Sequence, residues 1–192
     1  MKQTDLQLTG GEGKDDRRKL DFYPTPPEAT KALCDFLQKE NLLRKGSFVW
    51  ECASGEGIMS QVLESEGYTV YSSDIQSGTD FLQSIPSEDV DAIITNPPFM
   101  IADEFIKKAV SEYGVVAFLL KSQYWHSKKR LELFEKHQPA YILPLTWRPD
   151  FRFDIHEKEG VKGSPTMDVC WNVWLRGNIS GTHYLPLQKP KK

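Results

Sequence analysis

From residue 25 onward, short apolar runs of strand length alternate with stretches of helical periodicity, and Gly or Pro marks most junctions. Residues 47–53, 68–74, 90–95, 115–120, 140–146 and 167–175 read as strands. Residues 25–43, a stretch with Ile58, Met59, Val62 and Leu63 inward that Gly67 stops, 102–113 and 127–136 read as helices. The run VVAFLL at 115–120 is apolar throughout, as suits a strand buried on both faces of a parallel sheet. Regular alternation of this kind dictates an α/β architecture, with parallel strands joined by right-handed crossovers and helices on both faces. In such sheets ligands bind beyond the carboxyl ends of the strands, so the residues that close each strand carry the functional information.

Composition narrows the field. A chain of 192 residues is about one domain long on the usual range of ~100–200 residues. With 39% hydrophobic and 27% charged residues it is too apolar for wholesale disorder. No apolar run reaches the ~18 residues of a membrane helix. Residues 1–20 are polar and aperiodic, which predicts a flexible arm without a signal peptide, followed by a single domain over 21–192. Cys34, Cys52 and Cys170 are odd in number and set among apolar residues, so they read as reduced core thiols and point to the cytoplasm. His126, His137, His156 and His183 show no i,i+4 pairing, and no metal site is expected. The net charge of −3 argues against holding nucleic acid by bulk charge, although 121–137 carries five Lys or Arg against two Glu.

Three junctions stand out. Thr25-Pro26-Pro27-Glu28 has the residue types of a helix start, with Thr25 as N-cap, Pro26 as first helical residue and Glu28 completing a capping box. Glu51-Cys52-Ala53-Ser54-Gly55-Glu56-Gly57 follows a strand and opens a helix, where glycines let backbone approach a ligand and a helix terminus offers N–H groups. Asp74, about twenty residues on at the end of the next strand, is placed as a ribose-binding carboxylate, which suggests an adenosine-type cofactor without saying which. The third is Asn96-Pro97-Pro98-Phe99. Two prolines remove backbone donors, so the segment presents the Asn96 side-chain oxygen and the Pro97 carbonyl as acceptors for an amine, with Phe99 as a flat stacking face.

Taken in order, Tyr23-Pro24-Thr25-Pro26-Pro27, Glu51-x-x-x-Gly55-x-Gly57, Asp74, Asp80-Phe81 and Asn96-Pro97-Pro98-Phe99 resemble the S-adenosylmethionine-dependent amino-methyltransferases, in particular the small phage and prophage DNA adenine-N6 enzymes. The resemblance covers roughly 21–125, with a weaker echo in the final strand; Cys52 departs from it, standing where many members have proline. It implies a Rossmann-like class I methyltransferase fold with a mostly parallel sheet, and S-adenosylmethionine as cofactor. Tyr23 and Thr25 would border the methionine end of the cofactor, Glu51, Gly55 and Gly57 would shape its pocket, and Asp74 would hold the ribose. Asp80 would accept from the cofactor's adenine with Phe81 beside the ring; read from its own neighbourhood, Asp80 is also a turn cap before Pro86. Asn96, Pro97, Pro98 and Phe99 would carry catalysis on an adenine flipped out of DNA.

Phosphate contacts are expected from Lys128 and Lys129, otherwise a solvated helix face, and from Arg148 and Arg152 in the long aperiodic stretch 147–166. No insertion is large enough for a separate target-recognition domain. RNA adenine, cytosine N4 and protein glutamine remain open as substrates, as does a non-catalytic binding module. Trp171 and Trp174, three apart in a strand, should face opposite sides and serve packing.

Overall fold

Strand propensity in this chain is concentrated in short β-branched and aromatic runs, and in the computed structural model these lie side by side in one seven-stranded sheet. The structure describes residues 24–86, 89–178 and 180–191, so the expected arm over 1–20 and Tyr23 lie outside the described residues. The strands are β1 (Phe48–Glu51), β2 (Thr69–Ser72), β3 (Ala92–Thr95), β4 (Val115–Lys121), β5 (Tyr141–Pro144), β6 (Val169–Leu175) and β7 (His183–Tyr184), in the order β2-β1-β3-β4-β6-β5-β7. The pairs β1–β2, β1–β3, β3–β4 and β5–β7 are parallel. β6 alone is reversed, antiparallel to both β4 and β5.

Helices α1 (Pro27–Lys39), α2 (Ile58–Ser65), α3 (Ala102–Glu112), α4 (Leu131–Lys136) and α5 (Phe153–Glu159) fill the connections. Because side chains alternate across a strand, each central strand feeds two cores. On one face Val49, Ile94, Ala117, Leu119, Trp171 and Val173 pack with Leu33 and Leu37 of α1 and Met59 and Leu63 of α2. On the other, Trp50, Ile93, Val116, Phe118 and Trp174 pack with Phe105 and Ile106 of α3 and Leu133 of α4. Helices therefore cover both faces of a mostly parallel sheet. Trp171 and Trp174 do face opposite sides: their indole N–H groups donate to the carbonyls of Ala29 (2.9 Å) and His137 (2.7 Å). All three cysteines are buried and unbridged, and burial pushes the Cys34 thiol up to about 12.

Three local expectations are corrected, and one further element is found. α1 begins at Pro27 with Pro26 in the cap position and no side-chain cap, so there is no Thr25–Glu28 capping box. Instead, the Thr25 side chain is buried. The helix expected over 127–136 divides into a 3₁₀ turn (Lys128–Arg130) and α4. Arg130 is drawn away from helical geometry by Asp103, to which its Nε donates at 3.0 Å, and by the carbonyl of Tyr124. The stretch 147–166 is not loop throughout, since it contains α5, which ends at Gly160 in the left-handed region (φ 63°). Lastly, β7 and the Leu145–Leu187 bridge add a further edge that the sequence did not announce.

The interior of the second core sets the sheet's tolerance to mutation. Phe118 is fully buried and meets Phe105 and Trp174 edge-on at centroid distances of 6.3 and 5.8 Å. Replacing it by alanine should cost about 3–5 kcal/mol, to be measured as a lowered urea midpoint with an unchanged slope.

Candidate active site

Parallel strands end together, so the loops after β1, β2, β3 and β4 leave the sheet at one edge. β2 and β3 lie on opposite sides of β1, so the chain turns both ways from it, and the crevice between the ends of β1 and β3 is the switch point of the sheet. A cleft of about 340 Å³, open to solvent, lies there, bordered by Thr25, Glu51, Ser54, Gly55, Met59 and Asn96.

The β1 loop owes its shape to two glycines, Gly55 (φ 52°) and Gly57 (φ 77°). A Cβ at Gly57 would meet nothing within 4 Å, so backbone conformation and not crowding calls for glycine there. The Gly55 N–H donates to Asp74 Oδ2 (2.9 Å), and the Ser54 N–H donates to the Ser73 carbonyl (3.0 Å). Asp74 Oδ1 accepts from Gln76 N (2.8 Å) and caps the short turn Ile75–Ser77. Asp74 thus ties the glycine loop to the end of β2. Each carboxylate oxygen keeps a second lone pair for a hydroxyl ligand. Beside it Ile75 is 69% exposed. Composition did not single it out; an apolar residue directly after a strand-ending carboxylate was the available signal.

Glu51 is buried at the inner wall of this cleft, where the Ser60 hydroxyl donates to Oε2. Burial pushes its carboxyl up to about 8 against the lowering effect of Ser60, and the nearby charge of Asp74 adds to the rise. A protonated carboxyl here is poised to ionise when a cation enters.

The Phe81 ring falls otherwise than the resemblance implies, whereas Asp80 takes the turn-cap role read from its own neighbourhood. Asp80 caps its own turn, accepting from Leu82 N and Gln83 Nε2, both at 2.9 Å. The Phe81 ring is buried between Trp50 (5.1 Å) and Phe105 (4.7 Å), so it belongs to the core and cannot lie against a ligand's ring.

Asn96 follows β3 directly, and its Nδ2 donates to Thr25 Oγ1 at 3.2 Å. Pro97 is buried, and Pro98 (φ −55°, ψ 122°) leads into the turn Phe99–Ile101. The Phe99 ring is half-buried with the Lys121 ammonium 4.8 Å from its centroid. Sequence reasoning counted Lys121 in the basic stretch 121–137 without giving it a role of its own; its place as the last residue of β4 supplies one. Helix α3 is fastened to the segment after β4 by the Asp103–Tyr124–Arg130 cluster, with the Arg130 guanidinium 3.9 Å over the Tyr124 ring.

Among the expected phosphate contacts, Lys128 and Lys129 are exposed on the turn after β4. Arg148 is engaged with Asp168 (2.8 and 3.4 Å), and Arg152 is exposed at the rim of a second cleft of about 400 Å³ that also includes His156. Within the described residues there is no group of three or more His, Cys, Asp or Glu that could hold a metal, and no helix is long and apolar enough to cross a membrane.

This arrangement of sheet, switch-point crevice and strand-end loops is the class I S-adenosylmethionine-dependent methyltransferase fold. A protein of Listeria monocytogenes described as a class I S-adenosylmethionine-dependent methyltransferase superposes with a TM-score of 0.59 and 12% identity, over 95% of this chain and 68% of that one. The methyltransferase subunit of a type I restriction-modification system from Streptococcus thermophilus gives 0.59 at 11% identity; 85% of this chain aligns with 47% of the subunit, so the chain spans about half its length. A protein of Pyrococcus horikoshii described as an RNA methyltransferase gives 0.56 at 16% identity, over 88% and 95% of the two chains. No protein-family model and no curated protein sequence matches the chain.

The buried carboxyl makes a prediction about pH. Since Glu51 binds its proton more tightly folded than unfolded, folding loses stability as pH rises from about 4.5 to about 8 and stays at the lower level above that. Glu51→Gln should therefore melt higher than wild type at pH 9 and close to it at pH 4. Each kcal/mol is worth roughly 2–4 °C in a chain of this size. Differential scanning calorimetry at the two pH values is the check; equal shifts at both would show that Glu51 does not titrate in this range.

Proposed function

We propose that the chain is a methyltransferase that uses S-adenosylmethionine to methylate the exocyclic N6 amine of adenine in DNA. The observation that carries this reading is the placement of Asn96 on the same cleft as Glu51, Thr25 and the glycine loop. The residues present fit the cofactor. Glu51 offers a buried acid for its ammonium, Asp74 offers lone pairs for ribose hydroxyls, and exposed Ile75 offers an apolar face for its purine. When bound, S-adenosylmethionine supplies a methyl group on a positively charged sulfur, already electrophilic, so no strong general base is needed.

The chain's own task is alignment. The Asn96 side-chain oxygen and the Pro97 carbonyl accept the two hydrogens of the target amine, which keeps its lone pair directed at the cofactor side. As positive charge grows on that nitrogen, these dipoles are already oriented toward it. Phe99 supplies the stacking face, and Met100 and Ile101, 66% and 39% exposed beside it, give the loop an apolar surface where an unstacked base can lodge. Lys121, Lys128 and Lys129 lie along and just after β4, and we read them as local positive charge for DNA on a chain whose net charge is −3. DNA affinity should therefore be modest and should fall as salt rises.

Asn96→Ala should leave cofactor affinity within a few-fold while lowering kcat by about 10²–10³, the range seen when one preorganised dipole is removed from a developing charge. Calorimetry and single-turnover kinetics separate the two effects.

The substrate is decided by incubating DNA and RNA with the protein and methyl-labelled cofactor, followed by mass spectrometry of nucleosides. Label in N6-methyldeoxyadenosine is the expected result. Label confined to RNA, to cytosine or to protein overturns the DNA-adenine assignment. No transfer and no thermal shift with the cofactor overturns the enzymatic reading and leaves a binding module on this fold.

A further inference from the structure

The residues before α1 are of capping type, yet Thr25 caps nothing. Its side chain is 5% exposed, and its hydroxyl oxygen accepts from Asn96 Nδ2 at 3.2 Å across 71 residues of sequence. From this contact we infer that Thr25 is a positioning residue for Asn96: it sets which end of the carboxamide faces the amine to be methylated. The inference rests on the reading of Asn96 given under Proposed function.

A carboxamide has two ends of nearly equal size and opposite hydrogen-bonding sense. Turned one way it accepts an amine hydrogen and leaves the nitrogen lone pair available. Turned the other way its NH₂ donates toward that lone pair and blocks the reaction. Packing alone distinguishes these two states poorly, because the steric difference is slight. A hydroxyl can donate or accept, so the discriminating fact is the arrangement the structure shows, in which Thr25 Oγ1 accepts from the NH₂ end of Asn96. It holds the NH₂ end, so the oxygen end points away from Thr25.

Thr25 is itself held firmly. Pro24 and Pro26 restrict the backbone on either side, and the Pro26 carbonyl accepts from Ala29 N at 2.9 Å. The start of α1 is in turn anchored to the sheet by the Trp171 indole on the Ala29 carbonyl (2.9 Å). A buried hydroxyl on a restrained backbone makes a better reference point than a residue on a free loop. Thr25 also borders the cofactor cleft.

The experiment compares Thr25→Val, which keeps the shape and removes the acceptor, with Thr25→Ser, which keeps the acceptor. Expected for Thr25→Val is a loss of kcat of about 10-fold or more, the direction set by loss of transition-state alignment, with cofactor Kd by calorimetry within about threefold. Thr25→Ser should regain most of that kcat. Equal losses in both variants, or a loss in Thr25→Val that resides wholly in cofactor Kd, overturns the inference. A second readout does not depend on turnover. The Asn96 side-chain NH₂ pair in ¹⁵N-correlated NMR spectra, assigned as the pair absent from Asn96→Asp, should move in Thr25→Val and stay near its wild-type position in Thr25→Ser. An unmoved pair in Thr25→Val overturns the positioning role even where the wild-type protein transfers methyl groups normally. A wild-type protein that transfers none, with the pair moving as expected, overturns the functional reading and leaves the Thr25–Asn96 contact standing.

Discussion

Parallel pairing of β1 with β2 and β3, and of β3 with β4, is the constraint from which the rest of the molecule follows. It sends the loops after Glu51, Ser72, Thr95 and Lys121 out of one edge. Residues separated by dozens of positions in the chain, such as Thr25, Glu51 and Asn96, then border one crevice. A sheet of antiparallel hairpins would alternate strand ends between two edges and divide the same residues between opposite sides of the molecule. The reversal of β6 serves this arrangement. Val169 at its start pairs with Lys121 at the end of β4, so the segment after β5 also returns to the functional edge before the chain re-enters the sheet.

Most of the framework was legible because it depends on burial. Val49, Ile93, Phe118 and Trp174 are apolar where the sheet is covered, and helix-period runs match the two cores that cover it. Trp171 and Trp174 took opposite faces for the plain reason that an odd separation in a strand changes side. What stayed hidden depends on backbone pairing or on long-range partners. β7 is two exposed residues, His183 and Tyr184, whose only qualification is an open edge of β5. The reversal of β6 leaves no trace in its composition, since a fully buried strand reads the same in either direction.

Within the site, sequence identified residue types better than their tasks. Thr25, Asp80 and Arg130 each had a local reading, and the structure treats the three differently. Asp80 kept the local role of turn cap. Thr25 gave its cap up to a contact with Asn96, and Arg130 left a helical turn for Asp103 and Tyr124. In both of the latter a long-range hydrogen bond between partly buried groups outweighed a local one available at a helix end, as expected where the alternative leaves a polar group buried and unmade. Phe81 shows the converse. Its motif neighbourhood suggested a ligand contact, but a phenyl ring between Trp50 and Phe105 gains more from the core than an exposed face would return.

The crevice concentrates features that work against folding. It holds a buried carboxyl in Glu51 and the left-handed Gly55, and exposed apolar side chains at Ile75, Met100 and Ile101 sit on the loops after β2 and β3. None of these is needed by the sheet, whose two cores are complete without them. Each is of a kind that a bound partner would favour: a cation for Glu51, hydroxyls approaching the backbone of the glycine loop, a planar ring for the apolar side chains. Destabilising elements gathered at one edge, on a scaffold packed from both faces, are what an arrangement shaped for binding produces. A crevice shaped only by packing has no reason to keep a carboxyl whose burial raises it to about 8 while its neighbours Trp50 and Cys52 are apolar and buried. The energetic cost carried by Glu51 is therefore itself a mark of the site.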